Sequence, residues 1–185
     1  MRHSIWKSLA FVLIGIGLLP ASTATFSAGE SCLKKVLDRY CLGGDFAALV
    51  RQPPTPLHQQ KDGERNAAIY LEARGRVYVM AFRGRIYKIL RQYRPSTQLR
   101  FQELSELLTQ KYGPPTDRSR FPHYADSRGA RLVAIRRGEG QAAQVWNAGT
   151  GWSVELSWTR EMGLAVSYIA DKLDAERRGA MGQGL

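Results

Sequence analysis

The chain has 185 residues, 44% of them hydrophobic and 10% aromatic, which is the composition of a folded protein and excludes a disordered one. It holds 27 Lys plus Arg against 16 Asp plus Glu, a formal net charge of +11. The length suits one ordinary domain or two small ones.

The first elements are those of an export signal. Arg2 and Lys7 are basic, and no acidic residue precedes Glu30. Leu9 to Leu19 reads "LAFVLIGIGLL", Pro20 breaks the run, and "ASTA" follows with Ser22 and Ala24 as the small residues before a cut. Eleven residues at a helical rise reach about 16 Å, short of a bilayer core of about 30 Å. Residues 1–24 are therefore expected to be a signal peptide, delivering the protein to the periplasm or the exterior. A lipoprotein signal would place a Leu-like residue three positions before Cys32, where Gly29 stands. Cleavage removes two basic residues and no acidic one, leaving 25 Lys plus Arg against 16 Asp plus Glu. Export argues against nucleic acid as partner. It points to anionic lipid, anionic glycan or an acidic envelope protein, with a bare arginine bias as the alternative.

Cys32 and Cys41 form an even pair in an exported chain, which predicts a structural disulfide. No Cys-x-x-Cys is present, so a redox role is not expected. Leu33, Val36, Leu37 and Tyr40 recur at i, i+3, i+4 and i+7, the spacing of a short amphipathic helix. Nine residues along one helix would hold the cysteines about 13 Å apart, so the chain must bend, or the helix end at "CLGGD". Asp45 caps a second expected helix from Phe46, stopped by Pro53 and Pro54. A polar loop, "LHQQKDGER", follows.

Three strand-like runs come next, about 66–72, 76–82 and 85–93, joined at "ARGRVY" and "FRGRIY" by tight glycine turns. Pro95 ends this meander. Phe101, Leu104, Leu107, Leu108 and Tyr112 line one face of a further helix, which Gly113, Pro114 and Pro115 terminate. "ARLVAIRR", Ala130 to Arg137, fits one or two helical turns or a strand. "AQVW" then pairs through "NAGTG" with "WSVELSWT". There Trp152, Val154, Leu156 and Trp158 alternate with polar residues, a sheet with one dry face. "LAVSYIA" makes another strand, and the end reads as a short helix fading into a loose tail over 176–185.

The halves align: each has a helix, Pro-Pro-Thr, a loop and three strands. The expected architecture is α+β, one domain over 25–175 built from two helix-plus-three-strand units, about 45–93 and 98–170. They would form a six-stranded, mostly antiparallel sheet with helices on one face. In "FQELSELLTQKYGPP" and "DFAALVRQPP" with their following strands, this order resembles the helix-then-meander units of small exported bacterial proteins. Examples are the BamE-like outer-membrane assembly components and the tandem-unit β-lactamase inhibitor proteins. The resemblance covers most of the mature chain as a pattern and implies a non-enzymatic binding scaffold.

Residues for catalysis are sparse. There is no G-x-S-x-G, H-E-x-x-H or phosphate-binding glycine loop, no cofactor motif, and neither His58 nor His123 has a metal-ligand partner at the right spacing. A hydrolase would have to rest on a carboxylate pair such as Glu155 and Glu161. The sharper feature is basic. From Arg74 to Arg100 there are eight basic residues, none acidic, and interleaved tyrosines. Arg74, Arg76, Tyr78, Arg83, Arg85, Tyr87, Lys88 and Arg91 are the candidate binding set for an anionic surface or partner. The two Arg-Gly-Arg turns join successive strands, so they belong at opposite ends of the sheet. The competing role for these charges is to keep sheet edges from pairing. The expected function is an exported, non-catalytic binding or assembly module of the cell envelope. The alternative is a protein-binding inhibitor or envelope chaperone using an exposed sheet face. Trp146, Trp152 and Trp158 are expected in the core, or on a binding platform if no helix covers them.

Overall fold

A computed structural model describes residues 32–73 and 75–182. The expected signal peptide and Arg74 lie outside them. The fold is α+β. Strands β3 (His58–Asp62), β4 (Arg65–Glu72), β5 (Gly75–Phe82) and β6 (Arg85–Tyr93) come from the first half. Strands β7 (Thr116–Asp117), β8 (Ala142–Gly149), β9 (Trp152–Thr159) and β10 (Gly163–Ala170) come from the second. They form one eight-stranded sheet in the order β3-β4-β5-β6-β10-β9-β8-β7, antiparallel at every step. The last strand of each half is central, and the strand after each Pro-Pro-Thr is an edge.

Period-two alternation gives the sheet an apolar inner face. Val77, Val79, Ile89, Leu164, Val154, Leu156, Trp146, Trp152 and Trp158 share it and are buried in one core. Helices α1 (Phe46–Arg51), α2 (Gln98–Tyr112) and α3 (Arg128–Arg137) cover it. Asp45 and Thr97 accept from the third backbone N–H of α1 and α2 and fix where those helices begin. Leu104 and Leu108 of α2 enter the core, Phe101 packs on Trp158, and Tyr112 meets Trp152 edge-on at 6.0 Å. α2 stops at Gly113, whose φ of 86° suits glycine, and its carbonyl accepts the Trp146 indole N–H at 2.9 Å.

Four expectations are corrected. Residues 33–40 are not helical: β1 (Lys34–Val36) and β2 (Tyr40–Leu42) form a hairpin over the inner face. The hairpin satisfies the disulfide: Lys35 lies opposite Cys41, and the bonded Cys32 and Cys41 have Cα atoms 5.3 Å apart. The "HQQKD" segment is edge strand β3, not loop, so the sheet has eight strands and His58 lies on a strand. The helices do not share one face. α4 (Asp171–Gly182) turns onto the outer face, where Ser153 donates to Asp171 and the Arg177 guanidinium lies over the Tyr87 ring. This helix runs on to Gly182, through most of the tail read from 176 onward.

Candidate functional site

The expected Arg/Tyr set rides on β5 and β6, and the geometry divides it. Arg76 and Tyr78 project from the outer face near the β4–β5 turn. Arg83 occupies the β5–β6 turn at the other end, with Nε 2.8 Å from Glu64 and the guanidinium over Phe82. Arg85 donates from Nε to the Gly43 carbonyl at 2.6 Å. A β-bulge between Met80 and Ala81 gives β6 an extra residue there. Tyr87 lies in the bulged stretch, its hydroxyl 3.7 Å from Met80 Sδ and its ring under Arg177. Burial pushes the Tyr87 hydroxyl up, with Arg177 opposing. Lys88 pairs with Glu155 at 3.5 Å. Arg91 is on the inner face, its guanidinium 5.4 Å from the Tyr93 ring centre and its Nε buried without a hydrogen bond.

These residues therefore do not converge on one basic surface. Arg83, Arg85, Tyr87 and Lys88 are engaged within the fold, and Arg91 faces the core side. Arg76 and Tyr78 are left together on the outer face.

That face is only half covered. α4 crosses the end that holds Ser153 and Tyr87 and reaches β4, where Arg65 Nη1 lies 3.7 Å from Met181 Sδ. Toward the β4–β5 turn Leu71 and Arg76 are exposed, and Tyr78, Ser157 and Val145 are half-buried on this same face. Leu71 is 65% exposed. Between them the floor is close-packed: Leu90, Ala165 and Ser167 are buried, and Ser167 Oγ makes no hydrogen bond. The result is a smooth platform with tyrosine, leucine and arginine at one margin, suited to contact with a broad surface and not to enclosing a small molecule.

The other residues considered for chemistry are apart or occupied. Glu155 is turned to Lys88, and Glu161 stands exposed in the β9–β10 turn. Trp146, Trp152 and Trp158 are core, beneath α2. Among the described residues no cluster of three His, Cys, Asp or Glu side chains is placed to hold a metal ion, and no helix is long and apolar enough to cross a membrane.

Sequence reasoning missed one charged surface. α3 carries Arg128, Arg131, Arg136 and Arg137 and no acidic residue, all four exposed. Only Ala134 and Ile135 of this helix are buried, so the ambiguous "ARLVAIRR" gave little apolar period to read. The signal that would have found it is Ser127, whose hydroxyl caps the helix, together with Gly138, which ends it at φ 78°. No family model, curated protein or solved structure matches the chain.

Proposed function

We propose that the protein is a non-catalytic binding module of the bacterial cell envelope that presents the open half of its outer sheet face to a partner protein. The observation that carries this reading is the platform from Leu71 and Tyr78 to Val145, which lies beyond α4, while the opposite face carries three helices and the main core. Tyrosine, leucine and arginine on a close-packed floor make such a face energetically competent, because aromatic and arginine anchors carry most interface energy. Export through the N-terminal signal belongs to the same reading, and the disulfide is consistent with it.

The strand order supports a tandem origin. The first half runs helix, Pro-Pro-Thr, edge strand and three-strand meander; the second follows the same order but inserts α3 between its edge strand and its meander, and the halves meet through β6 and β10. The same order underlies the resemblance to helix-then-meander binding scaffolds, and a shared ancestry and use belong to this proposal.

A photo-crosslinking residue tests the reading. Placed at Tyr78, it should give one stoichiometric product in envelope extract, lost on Leu71→Glu. Placed at Tyr124, on the α3 side, it should give none. No product at Tyr78, or equal products at both positions, ends the platform reading. A second reading is favoured by α3: its four arginines fit an anionic membrane surface. Sedimentation with phosphatidylglycerol vesicles, lost in Arg136→Glu/Arg137→Glu and at high salt, would support that reading. Equal binding to phosphatidylcholine vesicles would remove it.

A further inference from the structure

One cavity lies apart from the platform, at the same end of the sheet. It is an open groove of about 680 Å³ lined by Ala73, Gly75, Tyr93, Arg94, Leu99 and Arg100, among others. Its floor is built by close approach. Gly75 has φ 132°, and a Cβ there would stand 2.7 Å from the Gln92 carbonyl oxygen, so only glycine lets the β4–β5 turn lie this near β6. One wall is the first turn of α2. Ser96 ties that turn down: its hydroxyl accepts from the Leu164 N–H at 2.9 Å.

The groove is electropositive for a local reason. Arg94 and Arg100 line it, and Arg91, outside the lining, joins Arg100 at the Tyr93 ring, their guanidinium groups 5.4 and 5.5 Å from its centre. Among the described residues of the lining Glu103 is the only acid, and it is bonded to Arg100 at 2.9 Å. Arg94 makes no ion pair or hydrogen bond among the described residues. Leu99, 67% exposed, and Pro95 supply an apolar rim beside these charges. Guanidinium forks match carboxylates in a bidentate way, and the apolar rim gives neighbouring side chains a surface to lie on.

We infer that this groove takes an acidic polypeptide segment, its carboxylates on Arg94 and Arg100 and its apolar side chains against Leu99. The inference rests on the protein-partner reading, because Gly75 leads directly to Arg76 on the platform. A partner seated on the outer face would bring such a segment around the end of the sheet. The groove extends the interface beyond β5 and gives it a charge requirement.

The test needs no partner. Backbone amide shifts of the purified protein are followed during titration with an acetylated hexaglutamate peptide, with tripolyphosphate in a parallel titration. Shifts should saturate at Ala73, Gly75, Tyr93 and Thr97 to Arg100, and weaken as salt rises. Arg94→Glu should weaken binding by about tenfold or more, as expected for loss of one charge-assisted contact, and Arg94→Ala should do so to a lesser degree. Shifts spread evenly over the exposed arginines of α3, or binding unchanged by both variants, would overturn the inference. Equal affinity for tripolyphosphate at the groove would overturn the carboxylate assignment. Because neither titration uses the envelope partner, failure here leaves the Tyr78 crosslinking result to stand or fall separately.

Discussion

Lys88 Nζ lies 3.5 Å from Glu155 Oε1, so a lysine of β6 and a glutamate of β9 join hands across β10 on the outer face. The pair passes over β10 where Ser167 and Ile169 stand. It takes Lys88 out of the free basic set, and it turns Glu155 toward a cation. With 23% and 28% of the two side chains exposed, water still screens the attraction. A double-mutant cycle with Lys88→Met and Glu155→Gln should give a coupling of about 0.5–1 kcal/mol that shrinks with salt. Urea unfolding of the four proteins measures it, and a coupling of zero at low salt would contradict the geometry.

Arg39 joins three parts of the fold. Its guanidinium lies 4.6 Å from the centre of the Tyr70 ring and 5.3 Å from that of Tyr40, and Nη2 donates to the carbonyls of Gln52 and Pro54. The side chain thus clips the β1–β2 hairpin to the sheet and to the end of α1. Arg39→Ala should lower the unfolding free energy by about 2–3 kcal/mol, combining a partly desolvated cation–π stack with two lost hydrogen bonds. Arg39→Lys should recover less than half, because an ammonium cannot stack and reach both carbonyls. Chemical denaturation of the two variants decides it; full rescue by lysine would mean that charge alone matters.

The alternating strands were plain in the sequence because one face is buried: Trp152, Val154, Leu156 and Trp158 all point into the core. What misled was coincidence of spacing. Val36 and Tyr40 oppose each other across a hairpin, four residues apart, which is also one turn of a helix. The turn between them uses left-handed Leu37 and Asp38, φ 51° and 57°; aspartate tolerates that conformation, but a leucine does not announce it. Edge strand β3 was hidden because "HQQKD" is exposed on both faces and carries no apolar period. The Arg/Tyr set was divided by two features. Arg91 shares parity with Ile89 and Tyr93 and so goes to the inner face, a consequence that alternation could have shown. The bulge at Met80/Ala81, which shifts Tyr87 relative to that alternation, leaves no mark in the sequence.

The disulfide closes a short loop, with Cys32 and Cys41 nine residues apart. Closing so small a ring restrains the unfolded chain by about 2.5 kcal/mol in the chain-entropy model. Cys32→Ser/Cys41→Ser should destabilise by about that amount while leaving the sheet spectrum intact, since the hairpin also holds through Tyr40 and Leu42 in the core. Thermal unfolding with and without reductant checks it: reductant should shift the parent and leave the double variant unmoved.

Tyrosines set the alkaline limit. Burial pushes the Tyr168 hydroxyl up to about 12, helped by the neighbouring Tyr112 and Tyr93 hydroxyls and opposed by Arg91. Tyr40 is raised further, by burial and by the hydrogen bond its hydroxyl donates to Glu72 at 2.6 Å, and burial raises Tyr70 too. In the unfolded chain these groups ionise near pH 10. Between that value and their folded values the native state holds more protons than the unfolded state, so unfolding free energy falls as pH rises. Stability should be flat from neutrality to about pH 9.5 and then drop, with a slope from each such tyrosine approaching about 1.4 kcal/mol per pH unit. Tyr168→Phe should flatten the part of that slope below pH 12. Tyr40→Phe should flatten it further, while losing the Glu72 bond at neutral pH. Urea midpoints measured from pH 7 to 11.5 resolve the two effects, and an unchanged slope in both variants would show that other groups govern alkaline unfolding.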